Sequence, residues 1–587
     1  MIRFICVLIL VAGNPVTGSE EKSRFRISIS HTVEGGPLLR DSLRYLLPSG
    51  ERFSVSRLSY LLSEIAFETE DGDWVAAEDQ VGLFDLQKGL VSLEFELPSR
   101  AYRAMRFSLG LPPGLNHSDP ARYPARHALN PVHNQLHWNW ADGYIFFALE
   151  GKFSDEVGRL KGFVYHFAND ENKVVVSLPL KVVDSVNAHI ELNFDLGRLL
   201  SFPAPLSFAK DGFSTHSHPG DAIASKLKKN LPSAFQLQRI IEFVKREAVT
   251  PPKPIDLPEA YAPFAFKMSR SFPMPDLPAD NPLIKERVEL GRALFFDRQL
   301  SFNGEVSCSS CHQPENAFSD ERILSLGATT TETRRHSMPL FNLAWKNAFF
   351  WDGRVSKLRE QVFHPIQHPD ELGIGVQDLV ERLRLDPKYK RLFDRAFSPG
   401  TVTREHIGLA LENYLLSLVS HKSRFDEAMA GRARLSEEEK RGFELFMTEY
   451  EPRSRQFGAD CFHCHGGALF TDNQFHNNGL KPGSDKGRGA FSGRKTDDFK
   501  FSTPSLRNVA LTAPYMHDGS IHSLEEVVRH YSEGVHQSET LDPNLAKHPK
   551  EGIRLSESDQ KALVAFLHAL TDPTFSAVVD AELPRGN

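Results

Sequence analysis

Cysteine is scarce in this 587-residue chain, with five in all. Cys6 lies in an N-terminal stretch expected to be removed, and the other four form two pairs, Cys308/Cys311 and Cys461/Cys464. The mature chain therefore has no thiol to spare for anything else. Long apolar runs are also missing. After the N-terminus no stretch is long enough to span a bilayer. Nor is there a basic run, and the net charge is -7, which argues against nucleic acid as a partner. Residues 1–19 read as a signal peptide: Arg3, the apolar run Phe4–Ala12, then the small residues Thr17-Gly18-Ser19. Cys6 precedes the apolar run rather than following it, against a lipoprotein anchor. The expectation is a soluble periplasmic protein of two or three domains.

The cysteine pairs carry the chemistry. Cys308-Ser309-Ser310-Cys311-His312 and Cys461-Phe462-His463-Cys464-His465 each place two thiols two residues apart with histidine directly after. That is the pattern for thioether attachment of a c-type haem, with His312 and His465 left as iron ligands. A zinc site would normally bring its two pairs within about 15–20 residues of each other, and these pairs are far more distant. Two covalent haems are expected, and their attachment outside the cytoplasm suits export.

Residues 20–247 read as an all-β, sandwich-like domain. Phe25–Val33, Leu90–Leu97, Tyr102–Leu109, Tyr144–Leu149 and Lys173–Val183 have strand lengths and patterns. Asp221–Glu247 reads as helical, interrupted by Pro232. Within this domain two of the five tryptophans, Trp138 and Trp140, stand among His133, His137 and Asn139. If extended, the two indoles share a face; a buried aromatic pair is the plain alternative. His31, His166, His189, His216 and His218 add imidazoles of a type suited to copper or zinc, at spacings that specify no site.

A proline-rich linker, residues 248–282, separates this domain from a helical module that is an internal repeat. The two lobes, 283–430 and 431–587, each carry Gly-x-x-Leu-Phe (Gly291/Leu294/Phe295 and Gly442/Leu445/Phe446). Each then has a haem motif and Phe-Ser-Asp or Phe-Thr-Asp. Asn342, Asp352 and Glu360 match Asn508, Asp518 and Glu526 at one constant offset. The expectation is two pseudo-twofold lobes in an all-α module, one haem in each. The same offset sets Pro365 against Tyr531. Proline cannot ligate iron and tyrosine can, so the first haem should be open on its distal side and the second closed.

From about Pro273 onward the chain resembles the dihaem bacterial cytochrome c peroxidase and MauG superfamily. The resemblance rests on DNPLIKERVELGRALFFD, CSSCH, FFWDGR, PIQHPDELG, CFHCH and PSLRNVALTAPYMHDG. It implies hydrogen peroxide as substrate at the first haem, Glu371 as distal acid/base, Gln361 as its amide neighbour and Trp351 between the haems. A carboxylate can take and return a peroxide proton while an amide orients the O–O bond. Ala328 stands where typical peroxidases carry a closing histidine, and Tyr531 where they carry methionine; both departures resemble MauG. Thr512 and Pro514 match carbonyl ligands of the family's calcium, but His336 replaces the expected asparagine.

More weakly, the first domain resembles MbnP-type copper proteins, encoded beside MauG-like enzymes of the MbnH kind. The carrying residues are Arg24–Gly36, HWNWADGYIFFALEG, GFVYHF and HSHPGD. The resemblance implies that the dihaem module oxidises Trp138 or Trp140 of its own N-terminal domain to kynurenine. Copper would then bind with histidines such as His31, His137 and His166. The alternatives are a detoxifying peroxidase fed by small periplasmic electron donors, and a non-enzymatic copper-binding electron-transfer protein.

Overall fold

The computed structural model describes residues 21–138, 143–184, 187–242, 255–399, 402–451, 455–550 and 552–576. The expected signal peptide and Trp140 lie outside the described residues. No described helix is long and apolar enough to cross a membrane.

The N-terminal domain is two sheets closed over one aromatic-rich core. In the smaller sheet Lys22–Val33 lies between Ala188–Asp195, which runs parallel to it, and Ser92–Pro98. Alternate residues of the first strand, Phe25, Ile27 and Ile29, point into the core, as a period of two requires. The larger sheet is organised on Arg52–Thr69, which pairs with Tyr102–Leu109 on one side and Gly143–Ser154 on the other. Gly143–Ser154 continues by a hairpin into Leu160–Ala168. Every residue from Gly143 to Phe153 is buried: one face meets the sandwich core, and on the other Tyr144 packs on His137 while Glu150 and Lys152 reach Asn544 and Glu539 of the haem module.

The helical reading of Asp221–Glu247 holds to Ala234 and fails over Phe235–Glu242, while residues 243–247 lie outside the described residues. The helix Ala222–Ala234 is capped by Asp221, which accepts from the amides of Ile223 and Ala224. Pro232 sits in its last turn, and Phe235–Glu242 then runs as a strand along Ala188–Asp195. Edge pairing, with Phe235 packed edge-on against Phe194 at 4.8 Å, overrides a sequence that also suits a helix.

The linker works as a strap. Phe272 is fully buried in the first haem lobe, and the Trp345 indole donates to the Pro273 carbonyl at 2.7 Å. Asn130 of the N-terminal domain donates to the Met274 carbonyl at 3.1 Å.

The repeat is visible in packing. Lys285–Phe295 crosses Arg404–Ser417 in the first lobe, and Glu437–Met447 crosses Glu557–Ala569 in the second. Both crossings are closed by the repeated glycine. A Cβ at Gly291 would fall 2.0 Å from the Ala410 carbonyl oxygen, and one at Gly442 would fall 2.0 Å from that of Ala562. Neither helix can move away without opening the aromatic layer beneath, where Phe295 meets Tyr414 and Phe446 meets Phe566. Gly442→Ala should therefore destabilise the holoprotein by about 1–3 kcal/mol, the usual range for overpacking. Thermal unfolding followed by calorimetry checks this, and an unchanged midpoint would show that the crossing has slack.

Candidate functional site

Both haem motifs are short helical turns with the proximal imidazole held from behind. In the first, Ser307 and Ser310 form a reciprocal cap around Cys308–Cys311. His312 Nδ1 donates to the Phe318 carbonyl at 2.9 Å. In the second, His465 Nδ1 donates to the Phe470 carbonyl at 3.2 Å. The phenylalanine of the repeated Phe-Ser/Thr-Asp thus supplies the same acceptor twice. With Nδ1 engaged, Nε2 is the atom left to ligate iron. None of the four cysteines is in a disulfide. The residues present fit two thioether-linked haems.

A cavity of about 910 Å³ lies against the first motif, lined by His312, Trp351, Gln361, Pro365, His368 and Glu371. The expected distal residues are thus brought to one cavity with the proximal histidine. Glu371 is carried on a loop fastened to the strand-like segment before Ala328, whose amide donates to the Glu371 carbonyl at 2.7 Å. Gly327 permits that approach, since a Cβ there would lie 2.0 Å from the Asp370 carbonyl oxygen. Burial raises the Glu371 carboxyl above its ordinary range, opposed by His368. Trp351 is buried; its indole donates to the His336 carbonyl at 2.9 Å, and its own carbonyl accepts from Ser502 of the second lobe at 2.7 Å. It is therefore pinned from both lobes.

The asymmetry between Pro365 and Tyr531 survives in three dimensions. Leu358–Gln361 and Phe363–Gln367 are two short helices around Pro365, where the second lobe has one continuous helix, Leu524–Glu533. Pro365 lines the first haem's cavity. Tyr531 is enclosed in the second lobe, with burial pushing its hydroxyl up and a hydrogen bond from Asn478 opposing. At the candidate calcium position, His336 lies by the Thr512 backbone. Its Nδ1 faces the carbonyls of Arg322 and Ile323, each at 3.2 Å. A buried imidazole in place of the expected asparagine oxygen fits poorly with a hard, oxygen-seeking cation at Thr512 and Pro514.

The three histidines named for copper are not brought together. His31 is buried in the sandwich core, its Nε2 2.9 Å from the Tyr60 hydroxyl, and it makes no metal group with His166. His137 packs edge-on against Tyr144 at 4.6 Å. His166 instead meets His216 and, from the other module, His463, the residue inside the second haem motif; a nitrogen of each lies within 4.8 Å of the others. The cavity there, about 700 Å³, is walled by Trp138, His137, His166, His216, Phe462 and His463. Trp138 lies 5.1 Å from the His216 ring and 6.4 Å from that of His166, and its Nε1 is buried without a hydrogen-bond partner among the described residues.

Charge surrounds this wall. Arg57 holds Glu150 at 2.8 Å, and Glu150 meets His166 Nε2 at 3.0 Å. Burial disfavours the Glu150 carboxylate, but Arg57 keeps its pKa well below the usual range. Burial pushes His166 down to about 3. His463 behaves oppositely: burial lowers it, yet Asp460 brings it to about 9. HSHPGD and the interior of CFHCH were visible in the sequence, but nothing in either indicated that they face each other.

The di-haem cytochrome c peroxidase family model matches residues 285–434, and the MbnP model matches residues 22–218. The methylamine utilization protein MauG of Methylorubrum extorquens is 39% identical over 309 residues, 52% of this chain and 83% of the relative. The cytochrome c551 peroxidase of Pseudomonas aeruginosa is 31% identical over 301 residues, 49% of this chain and 80% of the relative. A solved MauG-like protein associated with microbial copper homeostasis is 33% identical; it covers 55% of this chain and 99% of its own, with a TM-score of 0.49. The chain belongs to the di-haem cytochrome c peroxidase family and is an oxidoreductase carrying two haems. Within that family it is MauG-like, and it is fused to an MbnP module in a single polypeptide.

Tyr531→Phe should change the low-spin component of the ferric electron paramagnetic resonance spectrum and leave the high-spin component intact. An unchanged spectrum would remove Tyr531 as the second iron ligand.

Proposed function

We propose that this protein uses hydrogen peroxide in the periplasm to oxidise Trp138 of its own N-terminal domain to kynurenine, preparing that domain to hold copper. The observation that carries the reading is the position of Trp138. Its indole lines a cavity shared with Phe462 and His463 of the second haem motif, so the substrate side chain already faces the oxidising module within one chain.

Haem bound at the two motifs would supply peroxide activation and storage of oxidising equivalents. The chain's own residues do the rest. Glu371 takes a proton from one peroxide oxygen and returns it to the other, while Gln361 orients the molecule. Pro365 presents no ligating atom on that side. Trp351, fixed between the lobes, offers an aromatic relay, and Phe462 and the His216 ring, 6.3 Å apart, continue the aromatic contact toward Trp138. Two peroxides carry the four-electron ring opening of the indole, adding two oxygens and leaving two waters. Hydrolysis of the formyl group then releases formate and the aryl amine of kynurenine. That amine and ketone give the site a donor that indole lacks, beside His166 and His216.

Ala328 supports this reading over a detoxifying peroxidase: its side chain cannot ligate iron, so no histidine there needs reductive release. Small periplasmic electron donors have no role in the proposed reaction.

Peptide mass analysis of holoprotein before and after peroxide should show Trp138 losing one carbon and gaining one oxygen. Copper stoichiometry should rise with it and fall in Trp138→Phe. Full copper loading with Trp138 unmodified would defeat the reading.

Glu371→Gln should slow peroxide consumption about 10²–10⁴-fold, the typical contribution of a general acid–base group. Because burial raises the Glu371 pKa, and the base must be ionised, wild-type kcat/KM should fall on acidification at a pH above the ordinary carboxylate range. The variant should lose that limb. Equal rates and profiles would exclude Glu371.

A further inference from the structure

The three-imidazole cluster lies between domains rather than within one. His166 and His216 come from the N-terminal domain, and His463 from within the helical turn of the second haem motif. His166 Nδ1 and His216 Nε2 are 3.3 Å apart. Two nitrogens bound at about 2.0–2.1 Å to one tetrahedral ion stand about 3.3 Å apart, so the pair is already spaced for shared ligation. The remaining nitrogens are backed by carboxylates: His166 Nε2 by Glu150 at 3.0 Å and His216 Nδ1 by Glu449 at 2.9 Å. Carboxylates behind ligating histidines orient the rings and raise their basicity.

Two further observations describe the surroundings of the cluster. Three buried carboxylates, Glu150, Glu449 and Asp460, converge on the cluster, where Arg57, Lys547 and His463 pair with them. Trp138 Nε1 and Asn544 Oδ1 are also buried here without a hydrogen-bond partner among the described residues. Buried polar atoms are rarely left so in folded proteins, and these two border a centre that another group can complete.

We propose that His166, His216 and His463 form one metal site shared by the two modules. It would take a late first-row ion, copper or zinc, as a set of imidazoles favours. A metal bound there clamps the N-terminal domain onto the second haem lobe. The surfaces it would clamp fit closely. A Cβ at Gly162 would fall 1.8 Å from the Pro543 carbonyl oxygen, Lys152 Nζ donates to the Glu539 carbonyl at 2.6 Å, and Asn544 donates to Glu150 at 3.3 Å. The site deepens the copper reading above, adding a ligand from the enzyme module and a mechanical consequence.

The test uses full-length holoprotein, treated with peroxide until Trp138 is converted, then titrated with Cu(I) against a chromophoric chelator, and separately with Zn(II). Wild type, His166→Gln and His463→Gln are compared, with haem content measured on each sample. Hydrogen exchange of Leu160–Ala168 reports docking. Loss of a ligand should weaken binding by about tenfold or more in both variants. Metal should slow exchange of this strand in wild type and not in His463→Gln. Should His463→Gln bind as wild type does while His166→Gln does not, the shared site is overturned and the copper reading stands. Should wild type bind neither ion, both fall. Gly162→Ala tests the same idea with every ligand present: the added methyl should undock the strand and weaken metal binding together. Faster exchange with wild-type affinity would overturn the proposal.

Discussion

One buried carboxylate ties the two modules together. Glu449 follows the helix Glu437–Met447 in the second lobe, yet much of what it holds is elsewhere. Its Oε1 accepts from Ser214 of the N-terminal domain at 3.1 Å and pairs with Lys547. Its Oε2 lies 2.9 Å from His216 Nδ1 and 3.4 Å from His463 Nε2. A buried ion network of this kind contributes little net stability, because desolvation offsets attraction. Removing one partner is another matter and typically costs about 3–5 kcal/mol. Such a network specifies one docking geometry more than it strengthens docking. Here that geometry sets Trp138 and His166 against the second haem motif.

Much of the dihaem module was legible because its constraints are local. A Cys-x-x-Cys-His turn needs no distant partner to be recognised. The repeated glycines announce the close helix crossings later seen at Ala410 and Ala562. Pro365 against Tyr531 could be read from register alone, since the helical stretches that lead to them begin at corresponding leucines, Leu358 and Leu524. The sandwich was legible through its alternating strands. Phe235–Glu242 was not, because FQLQRIIE suits either period and only its pairing with Ala188–Asp195 decides.

The metal-ligating candidates were illegible for a different reason. His31 looks available in sequence, but its strand turns it inward to Tyr60. His463 sits where the haem motif tolerates almost any residue, so nothing local marks it. Its significance comes from His166 and His216 across an interface, and side-chain periodicity within either module carries no trace of that.

On the proposed reading, symmetry and its breach divide the work between lobes. The shared scaffold holds each proximal imidazole through a phenylalanine carbonyl, while Glu371, Gln361 and Pro365 equip only the first cavity for peroxide. The second lobe, marked by Tyr531, is the one whose haem motif meets the N-terminal domain, through Phe462 and His463. The claim beneath this is that each chain oxidises its own Trp138. Mixing haem-loaded wild type with ¹⁵N-labelled Glu371→Gln protein, adding peroxide at high dilution and sorting Trp138 peptides by isotope tests it directly. The account predicts kynurenine in the unlabelled peptide, with the labelled one lagging to the extent that Glu371→Gln is impaired. Equal conversion of both would contradict it.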